Sequence, residues 1–235
     1  MCRSIRACRW GGYEVFVKYD DGVMLMADLV VTEAEMGKVT DALQAHGMAQ
    51  TALHKHLLEQ SPPVWWTHVH AMGDPAQLAQ GLKAALDATA IPAAAAPPAQ
   101  QPPINFDTAG IDAALGRKGT ADSGIYKFTM ARKEDIVDDG HLVPPGFGVT
   151  TTINFQPVGS RQAAINGDIV MTAPEVQNVI GALRKGGIAI VALHNHSLTD
   201  NPRLFYLHYW AVQDGVALAK TLRTALDATN LQPAG

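Results

Sequence analysis

The stretch ALHNHSLTDNPRLFYLHYWA (residues 192–211) decides the organisation of this 235-residue chain, because a related stretch, ALHKHLLEQSPPVWWTHVHA, occurs at residues 52–71. The similarity extends further: residues 28–89 align with residues 168–229 without a gap, and 26 of the 62 aligned positions are identical. A spacing of 140 residues is too long for one unit of a solenoid, whose repeats are about 20–50 residues long. The sequence therefore predicts a tandem duplication of a whole domain.

A linker is predicted between the two copies. The tract IPAAAAPPAQQPP (residues 91–103) is rich in proline, alanine and glutamine, a composition typical of semi-rigid linkers that build no core. We therefore predict a first repeat domain over residues 1–90, a linker over residues 91–104 and a second repeat domain over residues 105–235.

The first copy is shorter on its amino-terminal side. It has 27 residues before Asp28, whereas the second copy has about 60 before the matching Asp168. Segments 107–115 and 124–132, which predict a helix and a strand, have no counterpart in the first copy. We expect from this a truncated or misassigned start. The first ten residues contain no apolar region typical of a signal peptide. If the start is truncated or misassigned, the lack of a signal peptide is weak evidence about the location of the protein.

The predicted elements within a copy follow a mixed order. In the second copy, a strand at 148–158 precedes a helix at 172–187, strands at 188–198 and 203–212, and a last helix at 214–229. This order predicts an α+β fold, in which each copy is a mainly antiparallel sheet packed with two or three helices. One short copy alone has a thin core. The linker permits, without requiring, that the copies pack together as an internal pseudo-dimer.

Composition and charge exclude several classes of partner. The chain is 47% hydrophobic and 17% charged, with a formal net charge of −4, as in soluble globular proteins. This charge provides no basis for nucleic-acid binding, and the longest apolar run is too short for a transmembrane segment. Cys2 and Cys8 are too few for a disulfide framework. The sequence also lacks the usual nucleotide-binding, serine-hydrolase and zincin motifs.

Histidines in the second copy predict a metal site. Alternate residues of a strand share a face, so His194 and His196 point the same way. In a hairpin centred on Pro202, His196 lies opposite His208 and three imidazoles converge on one patch of sheet. Imidazole suits zinc or another divalent transition metal, such as copper, iron or nickel. Three protein ligands leave one coordination position open for water or for a small-molecule substrate that the sequence does not identify.

The first copy offers a related but different ligand set. The equivalent register pairs His56 with His68 and His54 with His70. The residue of the second copy that matches His70 is Trp210, and we expect its indole to form a wall of the site. Four protein ligands are typical of a closed structural zinc site, and three of a catalytic site.

Other residues are predicted to surround these ligands. Asn195 lies between two of the histidines, and His141 belongs to a glycine- and proline-rich loop of the kind that often borders a site. Asp168 is placed to orient an imidazole by a hydrogen bond. Glu35 and Glu175 follow threonines in T-x-x-E patterns, and we expect both to cap helices rather than act in catalysis.

Two functional interpretations remain open from the residues alone. In the first, the chain is a metal-dependent enzyme or a metal-binding protein whose ion polarises a small oxygen-bearing substrate or lowers the pKa of bound water. In the second, it is a non-catalytic binding or structural module whose histidines pack or sense metal. An open coordination face favours the first interpretation. A closed four-histidine site, or imidazoles bonded to the backbone, favours the second.

The second copy resembles the LppY/LpqO family, bacterial proteins built on a duplicated domain of unknown function. The runs ALHNH…P…H and GDIV…E carry the resemblance, which covers residues 105–230 and, in shortened form, residues 10–90. The first copy departs from the pattern at Lys55, where the second copy has Asn195. Members of that family are typically secreted or lipid-anchored. The resemblance therefore implies an extracytoplasmic location, whether periplasmic, secreted or lipid-anchored.

Overall fold

The computed structural model describes residues 12–90, 103–158 and 161–233. Most of the predicted linker, and the amino-terminal segment with Cys2 and Cys8, lie outside the described residues. In the described ranges, no helix has the length and apolar character needed to cross a bilayer.

The first half forms a four-stranded antiparallel sheet with two helices. Its elements are β1 (Tyr13–Tyr19), β2 (Gly22–Val31), α1 (Glu33–Ala45), β3 (Ala49–His54), β4 (Trp65–Gly73) and α2 (Pro75–Asp87). The strand order across the sheet is β1-β2-β4-β3, and every neighbouring pair is antiparallel.

The second half forms a larger sheet of six strands. Its elements are α3 (Thr108–Leu115), β5 (Thr120–Asp122), β6 (Ile125–Ala131), β7 (Val137–Asp138), β8 (His141–Leu142), β9 (Thr150–Pro157), β10 (Gln162–Thr172), α4 (Val176–Lys185), β11 (Ala189–His194), β12 (Leu204–Asp214) and α5 (Gly215–Leu226). The order is β11-β12-β10-β9-β6-β5, and β7 pairs with β8 in a separate ribbon.

The duplication is visible in the topology. Strands β9, β10, β12 and β11 repeat the order of β1, β2, β4 and β3, and β3 and β11 begin and end 140 residues apart. The second half adds α3, β5 and β6, which have no counterpart among the described residues of the first half. The predicted α+β class, with a mainly antiparallel sheet and helices in each copy, is confirmed.

Local capping chemistry fixes where the helices begin. The Thr32 amide donates to Glu35 Oε2 at 2.8 Å, and the Thr172 amide donates to Glu175 Oε2 at 2.7 Å. These reciprocal bonds form the two predicted capping boxes, which satisfy backbone donors that a helix start leaves free. Both glutamates therefore have the structural role expected of them.

The central strand β2 packs against different partners on its two faces. Leu25 and Leu29 belong to a core that includes residues of α1 and α2. Met24 and Met26, on the opposite face of the strand, pack against buried side chains of the second half. Because side chains alternate along a strand, Asp28 lies on the same face as these methionines, turned toward the second half.

The two halves pack together as the internal pseudo-dimer that the linker permits. Thr51 lies in β3, an edge strand of the first sheet, and donates from Oγ1 to the His196 carbonyl at 2.7 Å. Strand β3 also contacts β11. A mixed core joins Met24 and Met26 to second-half residues that include Tyr206. Helices therefore cover the outer face of each sheet, and the inner faces meet.

The register of the second hairpin differs from the prediction. His208 pairs with Ala192 rather than with His196, and His194 pairs with Tyr206. Strand β11 ends at His194, so His196 lies in the following loop. The change is four residues, an even number, so each imidazole keeps its predicted face of the sheet.

Side-chain hydrogen bonds hold the loop of the second hairpin. Asn195 donates from Nδ2 to the Leu204 carbonyl, and Asp200 Oδ2 accepts from the Leu204 amide at 2.8 Å. The first hairpin shows the same register, with His68 opposite Ala52 rather than His56, although it has Lys55 and Gln60 at the equivalent positions. The register therefore does not depend on these bonds.

Candidate metal centre

Six histidines and two aspartates meet where the inner faces of the sheets face each other. We call this set the histidine cluster. It consists of Asp28, His54, His56 and His68 from the first half and Asp168, His194, His196 and His208 from the second half. Each member has a partner 140 residues away, so the cluster has an internal twofold relationship.

His54 and His194 form the centre of the histidine cluster. Each is the last residue of an edge strand, and their rings stack with centroids 3.8 Å apart and planes 12° apart. Because these two residues occupy equivalent positions in the repeat, the axis that relates the halves passes between their rings.

Two further contacts join the halves on either side of this stack. The ring centroids of His56 and His208 are 4.2 Å apart, and those of His196 and His68 are 3.9 Å apart. The two contacts are equivalent under the repeat. In each, a histidine that follows an edge strand meets an inner-strand histidine of the other half.

The two carboxylates lie against these histidines. Asp28 Oδ2 is 3.4 Å from His56 Nε2, and Asp168 Oδ2 is 3.2 Å from His196 Nε2. The second oxygen of each carboxylate lies 3.9–4.0 Å from another histidine of its own half. Asp28 was not among the predicted site residues, although its identity with Asp168 in the repeat was a usable indication.

Aromatic rings hold the outer histidines in place. His56 stacks on Trp66 with centroids 4.0 Å apart, and His196 stacks on Tyr206 at 3.4 Å. Trp66 and Tyr206 are again equivalent positions, and both are almost fully buried. The wall of the site is therefore formed by this pair.

Many ring nitrogens of the histidine cluster have no hydrogen-bond partner among the described residues. They are both nitrogens of His54, His68 and His194, and the Nε2 atoms of His56, His196 and His208. A buried polar atom without a partner costs about 1–3 kcal/mol, and native structures contain few of them. An ion that accepts the lone pairs of these nitrogens removes that cost.

Two backbone carbonyls define the tautomers of His196 and His208. The Nδ1 atom of His196 is 2.9 Å from the Gly148 carbonyl, and that of His208 is 2.8 Å from the Gly167 carbonyl. A carbonyl oxygen only accepts, so each Nδ1 carries the proton and donates it. In the neutral ring, each Nε2 is then left as a lone pair directed into the cluster, as in many metal-binding histidines.

Burial keeps His54, His56, His68 and His208 uncharged at neutral pH. Desolvation, reinforced by neighbouring histidines, lowers the pKa of His54 and His68 well below 6.5. Desolvation also lowers the pKa of His56 to about 3 and that of His208 to about 4, although Asp168 opposes both changes. At neutral pH these side chains are in the form that binds metal.

The two carboxyl groups differ in charge preference. Burial raises the pKa of Asp28 to about 7, although His196 and His208 oppose this. Burial acts in the same direction on Asp168, but the neighbouring His208 and His196 outweigh it and hold the pKa below its usual range. A nearby ionised Asp168 adds to the cost of ionising Asp28.

His70 lies outside the histidine cluster. It is two residues beyond His68 on β4, and its Nε2 is 3.1 Å from Asp138 Oδ2, with Asp139 nearby at 3.9 Å from Nδ1. Its counterpart Trp210 lies on β12, opposite Asn166 of β10 on one side and Ala189 of β11 on the other. Of the four histidines predicted as ligands in the first copy, three therefore belong to the histidine cluster and His70 lies beside Asp138.

Asn195 and His141 have other contacts. Asn195 holds the loop after β11 through the Leu204 carbonyl. His141 Nε2 is 2.9 Å from Asp21 Oδ1, and its ring packs on Tyr19 with centroids 4.4 Å apart. The structure brings neither side chain to the ring nitrogens of the cluster.

Two side chains of the histidine cluster are partly exposed to solvent. The side chain of His56 is 26% exposed and that of Asp168 is 17% exposed, whereas that of His68 is 1% exposed. A cleft of about 370 Å³ lies elsewhere, lined by Arg132, Ile136 and other residues, none of which belongs to the cluster.

Comparison with known protein families places this arrangement in a family context. The family model DUF1529, described as "Domain of Unknown Function (DUF1259)", matches residues 6–88 and 109–228. The chain belongs to the DUF1259 family. The two matched segments of this DUF1259 protein contain every member of the histidine cluster. A comparison with curated proteins finds no match.

Three solved structures that are similar to this DUF1259 protein are the following. The trimeric bacterial microcompartment shell protein PduB is 11% identical, with 95% of this chain and 93% of that chain covered at a TM-score of 0.25. EtuB from Clostridium kluyveri is 11% identical, with 92% and 85% covered at 0.25. The fused permuted hexameric shell protein MSM0275 from the RMM microcompartment is 13% identical, with 93% and 95% covered at 0.25. At this TM-score the likeness supports no inference about this chain.

Proposed function

We propose that this DUF1259 protein binds a divalent transition-metal ion at the histidine cluster, between its two halves. The observation that carries the proposal is the stack of His54 on His194, whose ring centroids are 3.8 Å apart. Both nitrogens of both rings are buried and lack a hydrogen-bond partner among the described residues. A metal ion that accepts a lone pair from each ring gives these buried nitrogens a partner.

Zinc is the first candidate for the ion. Imidazole nitrogens with a carboxylate are ligands that suit zinc, copper, iron and nickel better than magnesium or calcium, which prefer oxygen. Zinc accepts such mixed nitrogen and oxygen sets in a tetrahedral arrangement. The backbone bonds of His196 and His208 are the type that orients metal-binding imidazoles.

A metal-dependent enzyme is the second candidate function. The 26% exposure of the His56 side chain favours it, because this ring lies nearer to solvent than the other histidines of the cluster. A bound ion with an open position lowers the pKa of coordinated water or polarises a substrate oxygen. The competing role is a non-catalytic module that binds or senses metal. Turnover of small carbonyl and carboxylate substrates by the metal-loaded protein distinguishes the two.

Metal content measured by mass spectrometry on tag-free protein tests the proposal. We expect stoichiometric metal in the wild type and a reduced metal content in a His194→Ala/His196→Ala variant. The matched control is His46→Ala, which removes an exposed imidazole at the end of α1 and should keep the metal. Wild-type protein that takes up no zinc, copper, iron or nickel contradicts the proposal.

We also propose an extracytoplasmic location and membership of the LppY/LpqO group, both supported by the sequence resemblance. The test is fractionation of cells that express the protein from its own gene with its native upstream region. The protein is expected in the periplasmic, membrane or secreted fraction, and its confinement to the cytosol contradicts the location.

A further inference from the structure

We infer that the histidine cluster holds two metal ions, each bound by residues from both halves of the chain. This inference rests on the proposed metal binding. The first ligand set is Asp28, His54 and His56 with His208 of the second half. The second ligand set is Asp168, His194 and His196 with His68 of the first half.

The number of donors exceeds what one ion can take. Zinc in proteins is almost always bound by four ligands, and the histidine cluster offers eight side chains. One ion leaves at least half of them without a partner in a buried site. Two ions with four ligands each use all eight, and each set then contains one carboxylate and three imidazoles.

The geometry divides these donors into two separate groups. The ligand atoms of Asp28, His54 and His56 all lie within 4.8 Å of one another, and so do those of His68, His194 and His196. The two groups share no residue. A third group, of His54, His194 and His208, meets the same limit and crosses the axis, so it is the competing arrangement for a single ion.

Contacts between the halves complete each set. His208 lies against His56, and His68 lies against His196, at centroid distances of 4.2 and 3.9 Å. Asp168 reaches the second set through its 3.2 Å contact with His196 Nε2. Neither half therefore holds a complete set, and metal binding joins the halves directly.

Two double variants separate this inference from one in which each half has its own site. His56→Ala/His208→Ala removes two ligands of the first set, taken from different halves. His56→Ala/His68→Ala removes the same number of imidazoles from one half but one from each set. The measurement is metal content per chain by mass spectrometry, with protein quantified by amino-acid analysis and folding checked by circular dichroism.

We expect two ions per chain in the wild type, one in His56→Ala/His208→Ala and none in His56→Ala/His68→Ala. The reverse order of the two variants places a site in each half and overturns the inference. One ion per wild-type chain also overturns it while leaving the proposed metal binding intact. No ion in the wild type contradicts both. The single variant His56→Ala, at the most exposed of these histidines, should retain one ion, and it tests the number of ions if a double variant does not fold.

Discussion

His54 and His194 stack at 3.8 Å although they are 140 residues apart and belong to different copies of the repeat. Both nitrogens of both rings lack a hydrogen-bond partner among the described residues. Two neutral imidazoles gain little from such a stack in a buried site that leaves four polar atoms unsatisfied. The pair makes physical sense as the meeting point of two ligand sets, one on each side of the axis.

Metal removal should loosen the joint between the halves. A ligand that binds only the folded state stabilises it by about 2.7 kcal/mol at a concentration 100 times its dissociation constant. We therefore expect zinc to raise the midpoint of thermal unfolding and a chelator to lower it. The His56→Ala/His68→Ala variant, which removes one ligand from each set, should melt at the same temperature with and without zinc. Equal midpoints for zinc-loaded and chelator-treated wild type speak against metal at the interface.

Gly148 should be required for metal affinity. Its φ of +76° is in the left-handed region, and a Cβ there approaches the Met26 side chain at 2.5 Å and His196 Nδ1 at 3.4 Å. Gly148→Ala should therefore shift the backbone whose carbonyl accepts from His196 Nδ1 and weaken metal binding at least tenfold, about 1.4 kcal/mol, as measured by competition with a chromophoric chelator.

Gly140 offers the matched control for this substitution. Its φ of +82° imposes a similar backbone cost on alanine, but nothing lies within 4 Å of the added Cβ. Gly140→Ala should lower stability by about 1 kcal/mol and leave metal affinity unchanged. Equal loss of affinity in both variants attributes the effect to backbone strain and not to His196.

Arg132 and Glu175 should contribute to stability independently of metal. Arg132 is buried, and its guanidinium bonds both Glu175 and Glu134. Truncation of Arg132 to alanine leaves two partly buried carboxylates without a counterion, and we expect a loss of about 3–5 kcal/mol. Chemical denaturation measures it. Lys83→Ala, which breaks an exposed pair with Asp87, should cost less than 1 kcal/mol; a similar loss in both contradicts the expectation.

The contribution of Glu175 should depend on pH. Burial favours a higher pKa for this carboxyl, but hydrogen bonds from Arg132 and the Thr172 amide hold it below its ordinary value of 4.5. A lowered pKa in the folded state stabilises the protein above the unfolded pKa, and this stabilisation is lost as the pH falls through the folded pKa. The stability difference between wild type and Glu175→Gln should therefore be constant above about pH 5.5 and shrink below pH 4.5. A difference that grows on acidification contradicts this assignment.

Local patterns predicted much of the fold. The repeat predicted two related α+β halves, and the T-x-x-E patterns at Thr32 and Thr172 marked helix starts because capping depends on residues three positions apart. Hairpin register was not predictable in the same way. Alternation of polar and apolar residues indicates which face a side chain takes, and a shift of four residues, as seen in both hairpins, leaves that face unchanged.

The composition of the site was beyond local patterns as well. The sequence predicted the histidines from each hairpin separately, but the contact of His56 with His208 depends on how two whole sheets face each other. Asp28 was missed for the same reason, since it contributes from a neighbouring strand. The contact of His70 could not be predicted from the repeat, because its partner Asp138 lies in a segment that the first copy lacks.

Anomalous X-ray diffraction from zinc-loaded crystals tests the central claim most directly. Data collected on both sides of the zinc absorption edge locate the ions without reference to any assumed ligand. The account predicts anomalous peaks between the two sheets, one beside Asp28 and His56 and one beside Asp168 and His196. Peaks confined to surface residues, or none at the histidine cluster, would contradict it.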